Sequence, residues 1–170
     1  MRKVSVSKPN SSDSLNDYQN YWNNNWDSDK KDVSLERIKR EEYFENLLSL
    51  LEQYKPKRIL EAGCGKGQWV KGLHQLGFNV DGADFSSVAI EIAQSNCKEA
   101  HFVQCDLRNI PVESHYYDFI LSLGVIEHFE EGPKGVLREH ARILRKGGIM
   151  FAHVPLLNLN RRINPLWRNL

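Results

Sequence analysis

Cysteine, long apolar runs and net charge are all scarce in this sequence of 170 residues, and each scarcity excludes a class of protein. The three cysteines are an odd number without CxxC spacing, which argues against a disulfide framework and a zinc knuckle. No apolar run approaches the roughly 20 residues that a membrane-spanning helix needs. The 23 basic and 22 acidic residues leave a formal charge of +1, which gives no general attraction for nucleic acid. We expect a cytoplasmic protein whose partners include neither membrane nor nucleic acid.

The first 33 residues are rich in Ser, Asn and Asp, so burial of apolar side chains alone cannot order them. This stretch carries four large aromatic residues, Tyr18, Tyr21, Trp22 and Trp26. We predict an N-terminal arm over residues 1–33 that either packs on the domain surface or closes over a ligand. The domain itself is expected over residues 34–155, and a tail of apolar and basic residues over 156–170.

Apolar residues between Ser34 and Leu51 recur every three or four positions, which predicts one amphipathic helix with Ser34 as its N-cap. After Pro56, short apolar segments alternate with helical patterns. We predict five strands, at residues 58–62, 78–83, 101–105, 118–123 and 149–154. Ser86 is expected to cap the helix after the second strand, and Gly147-Gly148 to end a helix over residues 133–145. Strands that are apolar on both faces and separated by helices are typical of an α/β fold with a covered parallel sheet.

The turn after the first predicted strand reads Glu61-Ala62-Gly63-Cys64-Gly65-Lys66-Gly67 and carries the strongest functional signal. Three glycines at alternate positions permit a sharp turn and the close approach of a ligand, and the following helix offers N–H groups to an anion. The dinucleotide pattern G-x-G-x-x-G fails because residue 68 is Gln. The Walker pattern fails because Gly67 stands where Ser or Thr is required.

The spacing Glu61-x-Gly63-x-Gly65-x-Gly67 resembles the first motif of the class I, Rossmann-like S-adenosylmethionine-dependent methyltransferases. The resemblance extends over residues 58–155. It implies a doubly wound, mainly parallel sheet of strand order 3-2-1-4-5 with helices on both faces. It also implies a set of residues that border S-adenosylmethionine and its product S-adenosylhomocysteine, namely Glu61, Gly63, Cys64, Gly65 and Gly67.

Two later acidic positions also match cofactor contacts of this family. Asp84, 21 residues after Gly63, looks like the residue that accepts from both ribose hydroxyls, or it caps the next helix instead. Asp106 and Leu107 resemble the adenine clamp, in which a carboxylate accepts from the exocyclic amine and a backbone N–H meets the ring. Phe85 either packs on the adenine or belongs to the core.

The stretch from Ser122 to Phe129 is similar to the family's lining of the transferred methyl group, and it implies that Leu123 contacts the cofactor. Methyl transfer is an in-line displacement in which the protein mainly aligns and desolvates the acceptor. His128 is the local candidate for a general base, because an unperturbed imidazole is largely neutral near pH 7. The alternative is that His128 only packs near the cofactor. The neighbouring acidic residues do not predict a metal site.

The end of the chain departs from the family pattern, which adds an antiparallel hairpin of two strands after the fifth strand. The residues after Pro155 leave no room for both strands, so we expect a truncated chain or one that a partner completes. An uncovered fifth strand would then be open to pairing with a second copy in a homodimer.

These features together predict an enzyme that transfers a methyl group from S-adenosylmethionine to a small-molecule acceptor. They resemble the group of methyltransferases that act on quinone precursors, sugars and other metabolites. The alternative is a non-catalytic module that binds S-adenosylmethionine or serves as a methyltransferase subunit. An NAD-dependent oxidoreductase is disfavoured by Gln68.

Overall fold

A computed structural model of the chain describes residues 15–28, 33–129 and 131–154. The strands are β1 (Ile59–Ala62), β2 (Val80–Asp84), β3 (Phe102–Gln104), β4 (Tyr117–Leu123) and β5 (Leu144–His153). The helices are α1 (Leu15–Ser28), α2 (Leu35–Ile38), α3 (Phe44–Tyr54), α4 (Gln68–Gln75), α5 (Ser87–Asn96) and α6 (Lys134–Ile143), with a short 3-10 turn at Ile126–His128.

The five strands form one sheet in the order β3-β2-β1-β4-β5, and all of its pairings are parallel. The predicted fold class and the predicted strand order are therefore confirmed. Because the strands run in the same direction, the loops that follow them meet at one edge, where α/β sheets bind ligands.

Both faces of the sheet are buried, as the apolar strands predict. Phe119 and Leu121 of β4 join one core cluster with side chains of α3 and α4. Ile120, between them, points to the opposite face and joins a second cluster with residues of α6. This alternation follows from the two-residue period of a strand, and it makes β4 the centre of both cores.

The prediction of one helix from Ser34 onward is wrong, because the chain turns between α2 and α3. Ser34 does occupy the N-cap position of α2, but its side chain makes no capping hydrogen bond. The turn lets Ile38 pack onto Gly72 of α4 while Tyr43 stacks on Trp69, with ring centroids 5.5 Å apart. These tertiary contacts outweigh the continuous helical pattern.

The predicted end of the last helix is also wrong. α6 stops at Ile143 and β5 begins at the next residue, so Gly147 and Gly148 lie within the strand. Gly147 has φ +73°, and the β4–β5 register shifts nearby, between Tyr117 and Phe119. The glycines thus accompany an irregular strand. By contrast, the Ser86 cap is confirmed, because the Ser86 hydroxyl accepts a 3.1 Å hydrogen bond from the Ala89 N–H.

The predicted arm contains α1, which packs against α5. The predicted tail over residues 156–170, and with it the expectation of a missing hairpin, falls outside the described residues. Among the helices that the structure does describe, none is both long and apolar enough to cross a membrane.

Candidate functional site

The residues that the sequence singled out lie at the carboxyl edge of the sheet, at the ends of strands and on the four loops that follow β1 to β4. The glycine turn follows β1, Asp84 ends β2 and leads into Phe85, Asp106 and Leu107 follow β3, and His128 follows β4. Neighbouring strands in a parallel sheet are only about 4.8 Å apart, so these loops form a common site.

The glycine turn is held by hydrogen bonds to the end of β2. Gly63 and Cys64 donate their N–H groups to the Ala83 carbonyl at 2.7 and 2.9 Å, and the Gly65 N–H donates to Asp84 Oδ2 at 2.8 Å. A bound phosphate would need such N–H groups, but in this chain these three already have internal acceptors. This arrangement argues against the anion-cradle interpretation of the turn.

The glycines also make room for the chain's own side chains. Gly63, Gly65 and Gly67 have φ values of +85°, +49° and +72°, a region that side chains rarely tolerate. A Cβ on Gly63 would collide with Val125, and one on Gly65 would lie 2.6 Å from a ring carbon of Trp26. Internal packing therefore explains much of what the sequence suggested was space for a ligand.

Two buried carboxylates flank this turn. Glu61 is 3% exposed and accepts from the Val70 N–H at 3.1 Å, while Asp84 is 9% exposed. The two Asp84 oxygens accept from the N–H groups of Gly65 and Ser86, at 2.8 and 2.9 Å. Asp84 therefore does not cap α5, because the Ser86 hydroxyl has that role.

Burial raises the pKa of both carboxyls above their ordinary values, and the charge of Asp84 raises the pKa of Glu61 further. Burial likewise raises the pKa of the Cys64 thiol, so this cysteine is a neutral lining group. Because two carboxylates are held close together in a dry site, a cationic ligand would stabilise them and an anionic ligand would not.

Asp106 is engaged by a neighbouring guanidinium. Arg108 Nε lies 3.0 Å from both Asp106 oxygens, and its Nη2 lies 2.7 Å from Oδ2. Although burial alone raises the pKa of Asp106, these bonds hold it below its ordinary value. Arg108 also pairs with Glu131 and lies 5.8 Å over the ring of Phe129. An adenine amine would therefore share the Asp106 carboxylate with Arg108.

The two apolar neighbours of these carboxylates differ in burial. Leu107 is buried in the second core cluster, so its side chain serves packing and only its backbone is available to a ligand. Phe85 is half-buried, and within the described residues it belongs to neither core cluster. Of the two interpretations of Phe85, the structure removes the one that places it in the core.

The end of β4 carries the proposed acceptor side. Leu123 is half-buried against the first core cluster, and the Gly124 N–H donates to the His153 carbonyl at 2.8 Å. The His128 ring meets Trp22 edge-on, with centroids 5.0 Å apart and planes at 76°. His128 is thus held at the site by a side chain of α1. In the ranges described above, no group of three or more His, Cys, Asp or Glu residues is placed to bind a metal.

The sequence did not predict three contacts between α1 and the loops of the site. Trp26 packs on Gly65, Asn23 Oδ1 accepts from the Ser86 hydroxyl at 2.6 Å, and Trp22 contacts His128. The available signal was the four-residue spacing of Trp22 and Trp26, which places both rings on one face of a helix.

A second aromatic group was also missed, because its members are distant in sequence. Tyr43 stacks on His153, with ring centroids 4.3 Å apart, beside the end of β5. Its contact with Trp69, already described, connects this pair to the helix that follows the glycine turn.

Comparison with known proteins gives a consistent result. Residues 60–152 match the family described as Methyltransferase domain. The human protein named "Probable tRNA methyltransferase 9B" is 33% identical over 107 residues, which is 61% of this chain and 23% of that protein. A ubiquinone biosynthesis O-methyltransferase of Nitrosomonas europaea is 28% identical over 134 residues, which is 74% of this chain and 55% of that protein.

Among solved structures, a protein of Methanococcus maripaludis that is described as an S-adenosyl-L-methionine-dependent methyltransferase matches with a TM-score of 0.59 and 25% identity. The match covers 83% of this chain and 77% of that one. The two curated relatives are longer, and this chain spans about a quarter and about half of their lengths.

Proposed function

We propose that this chain, which belongs to the class I S-adenosylmethionine-dependent methyltransferase family, transfers a methyl group to a hydroxyl oxygen of a small molecule. The observation that carries the donor half of this proposal is the pair of buried carboxylates, Glu61 and Asp84, beside the glycine turn. Their raised pKa values mark a site that gains from positive charge in its ligand.

S-adenosylmethionine fits this site better than a dinucleotide does. It combines a sulfonium and an ammonium group with a ribose whose hydroxyls can donate to a carboxylate, and its sulfonium supplies an electrophilic methyl group. The pyrophosphate of NAD would instead meet two nearby carboxylates, beside a turn in which three N–H groups already have acceptors. The electrostatics of the site thus add to the Gln68 argument against an oxidoreductase.

The proposed roles of the chain's residues follow from their positions. Asp84, held by two backbone N–H groups, would accept from the ribose hydroxyls, and Glu61 would supply negative charge deeper in the site. His128 would take the proton from the acceptor hydroxyl as the oxygen–methyl bond forms and the carbon–sulfur bond breaks. Alignment and exclusion of water supply the rest of the rate enhancement.

A small-molecule hydroxyl is favoured as the acceptor because several relatives that match over longer parts of their chains are named ubiquinone biosynthesis O-methyltransferases. The relative named as a tRNA methyltransferase shares only the domain, which is 23% of its length. A formal charge of +1 also gives no general electrostatic attraction for RNA. A non-catalytic binding module remains the alternative, and it differs from the enzyme in producing no S-adenosylhomocysteine.

The test begins with calorimetric titration of S-adenosylmethionine, S-adenosylhomocysteine and NAD. We expect micromolar binding of the first two ligands and none of NAD. Each candidate acceptor class, namely phenols, carboxylic acids and tRNA, is then incubated with S-adenosylmethionine, and S-adenosylhomocysteine is quantified by mass spectrometry. Product with a phenol supports the proposal, whereas product with carboxylic acids alone or with tRNA alone would overturn the acceptor assignment.

His128→Ala separates binding from catalysis. We expect it to bind S-adenosylmethionine with unchanged affinity and to lose about 100-fold or more in turnover of a hydroxyl acceptor, as removal of a general base does. His101→Ala is the matched control, because His101 is exposed and precedes β3. Unchanged turnover in His128→Ala would contradict the general-base role while leaving the donor site intact.

A further inference from the structure

Helix α1 contacts both groups that hold the Asp84 carboxylate. One Asp84 oxygen accepts from the Gly65 N–H, and the ring of Trp26 packs on Gly65. The other oxygen accepts from the Ser86 N–H, and the Ser86 hydroxyl donates to Asn23 at 2.6 Å. The helix therefore spans the loops on both sides of this carboxylate.

Trp26 packs so closely on Gly65 that a side chain at residue 65 would not fit. Ring carbons of Trp26 lie 2.6 and 2.8 Å from the point where a Cβ on Gly65 would stand. Because Gly65 is both a hydrogen-bond partner of Asp84 and the floor beneath Trp26, a molecule bound at Asp84 lies beside this ring. Trp26 is half-buried, so part of its surface is still available for contact.

The same face of α1 reaches the other end of the site. Trp22 lies one helical turn before Trp26 and contacts the ring of His128 at 5.0 Å between centroids. Asn23 lies between the two tryptophans in sequence and is hydrogen-bonded to the start of α5. These contacts connect one short helix to the loops after β1, β2 and β4.

We propose that α1 is a wall of the methyl-donor site and that Trp26 is a donor-binding residue. This inference rests on the proposed function, since it requires that S-adenosylmethionine bind at Asp84. The indole ring covers the bound donor and excludes water from the Asp84 carboxylate, which strengthens the hydrogen bonds made there. An aromatic face is also a suitable neighbour for a sulfonium cation.

The first experiment compares Trp26→Ala, Trp26→Phe and Asn24→Ala with the unchanged chain by calorimetric titration. Asn24 is the matched control, because it lies on the same helix and is exposed. We expect Trp26→Ala to weaken binding of S-adenosylmethionine and S-adenosylhomocysteine at least about tenfold, the effect of losing one well-packed aromatic contact. Trp26→Phe should retain most of the affinity, and Asn24→Ala all of it.

The outcomes separate this inference from the proposed function. If the unchanged chain binds neither ligand, both are overturned. If it binds them and Trp26→Ala binds equally well, only the donor-wall role fails. Tighter binding by Trp26→Ala would also overturn the inference, because it would mean that the ring occupies the ligand's place.

A second measurement reads ligand binding on the unmutated protein and uses a variant only to assign a resonance. Incorporation of 5-fluorotryptophan labels the four tryptophans, and the Trp26 fluorine resonance is assigned from its absence in Trp26→Phe. Addition of S-adenosylhomocysteine should shift this resonance. A Trp26 resonance that stays in place at saturating ligand would refute the contact.

Discussion

Protonation of His140 should make the fold sensitive to acid. This residue of α6 is 1% exposed, and within the described part of the chain neither ring nitrogen has a hydrogen-bond partner. Burial lowers the pKa of His140 from 6.5 to about 4, and the adjacent Glu139 opposes this shift only in part. The folded state therefore binds the proton more weakly than the unfolded chain does.

The sign and size of the effect follow from linkage between protonation and folding. When the pKa of a histidine is lower in the folded state than in the unfolded state, the free energy of unfolding is highest above the unfolded pKa. It falls as the pH is lowered from the unfolded pKa toward the folded pKa. With pKa values of 6.5 unfolded and about 4 folded, the free energy of unfolding should fall by about 2 kcal/mol between pH 7 and pH 5. The limiting loss, below pH 4, is about 3 kcal/mol.

The assay is urea unfolding of the unchanged chain and of His140→Leu at several pH values between 4.5 and 7.5. Leucine is similar in volume and has no proton to bind, so the difference between the two proteins isolates His140 from the carboxylates that titrate in the same range. We expect the variant to be more stable at every pH, and its advantage to grow by about 2 kcal/mol from pH 7 to pH 5. His101→Leu, at an exposed position, should show no such growth.

A stability difference that stays constant over this pH range would refute the argument. It would mean that the His140 ring either carries its proton in the folded state or remains accessible to water. The m-values must also be compared, since a change in m would indicate that the variant alters the unfolded state instead.

Three further predictions concern the site and the base of the sheet. Asp84→Asn should weaken S-adenosylmethionine binding about tenfold or more and lower thermal stability, because the amide nitrogen of Asn cannot accept, so one of the Gly65 and Ser86 N–H groups loses its acceptor. Calorimetric titration and thermal unfolding measure the two effects. Gly65→Ala should weaken binding of S-adenosylmethionine, because the new Cβ displaces Trp26. In the Trp26→Ala background the same substitution should reduce the affinity less, and an equal reduction in both backgrounds would contradict the packing of Trp26 on Gly65. Asp118→Ala should destabilise the fold by about 2–4 kcal/mol in urea unfolding without changing ligand affinity, because its carboxylate accepts from two N–H groups before β1 and pairs with Arg145.

The sheet could be predicted from the sequence because its information is local. Each strand is a short apolar segment between turn residues, and the alternation with helices leaves few topologies. Ser86 likewise signals its own role, because a serine that precedes an apolar helical pattern is a good N-cap. These elements need no knowledge of what lies opposite them.

The sequence predictions fail where contacts between distant residues determine the local structure. The break between α2 and α3 depends on Gly72 and Trp69, which lie about 30 residues away and cannot be inferred from the helical period. Helix α1 has a polar composition, so its placement depends on a few anchor residues, and their partners are in loops after three different strands. Arg108 was missed for a similar reason, since its hold on Asp106 is a matter of side-chain geometry.

The glycine turn shows why a motif alone does not identify its ligand. Three glycines at alternate positions predict space for a bound molecule, but Val125 and Trp26 fill much of that space from within the chain. Charge favours a methyl donor over a nucleotide here, because two carboxylates are buried beside the turn and the N–H groups of Gly63, Cys64 and Gly65 already have acceptors. Because a buried carboxylate is costly without a compensating partner, the pair of Glu61 and Asp84 is the stronger indication of a cationic ligand.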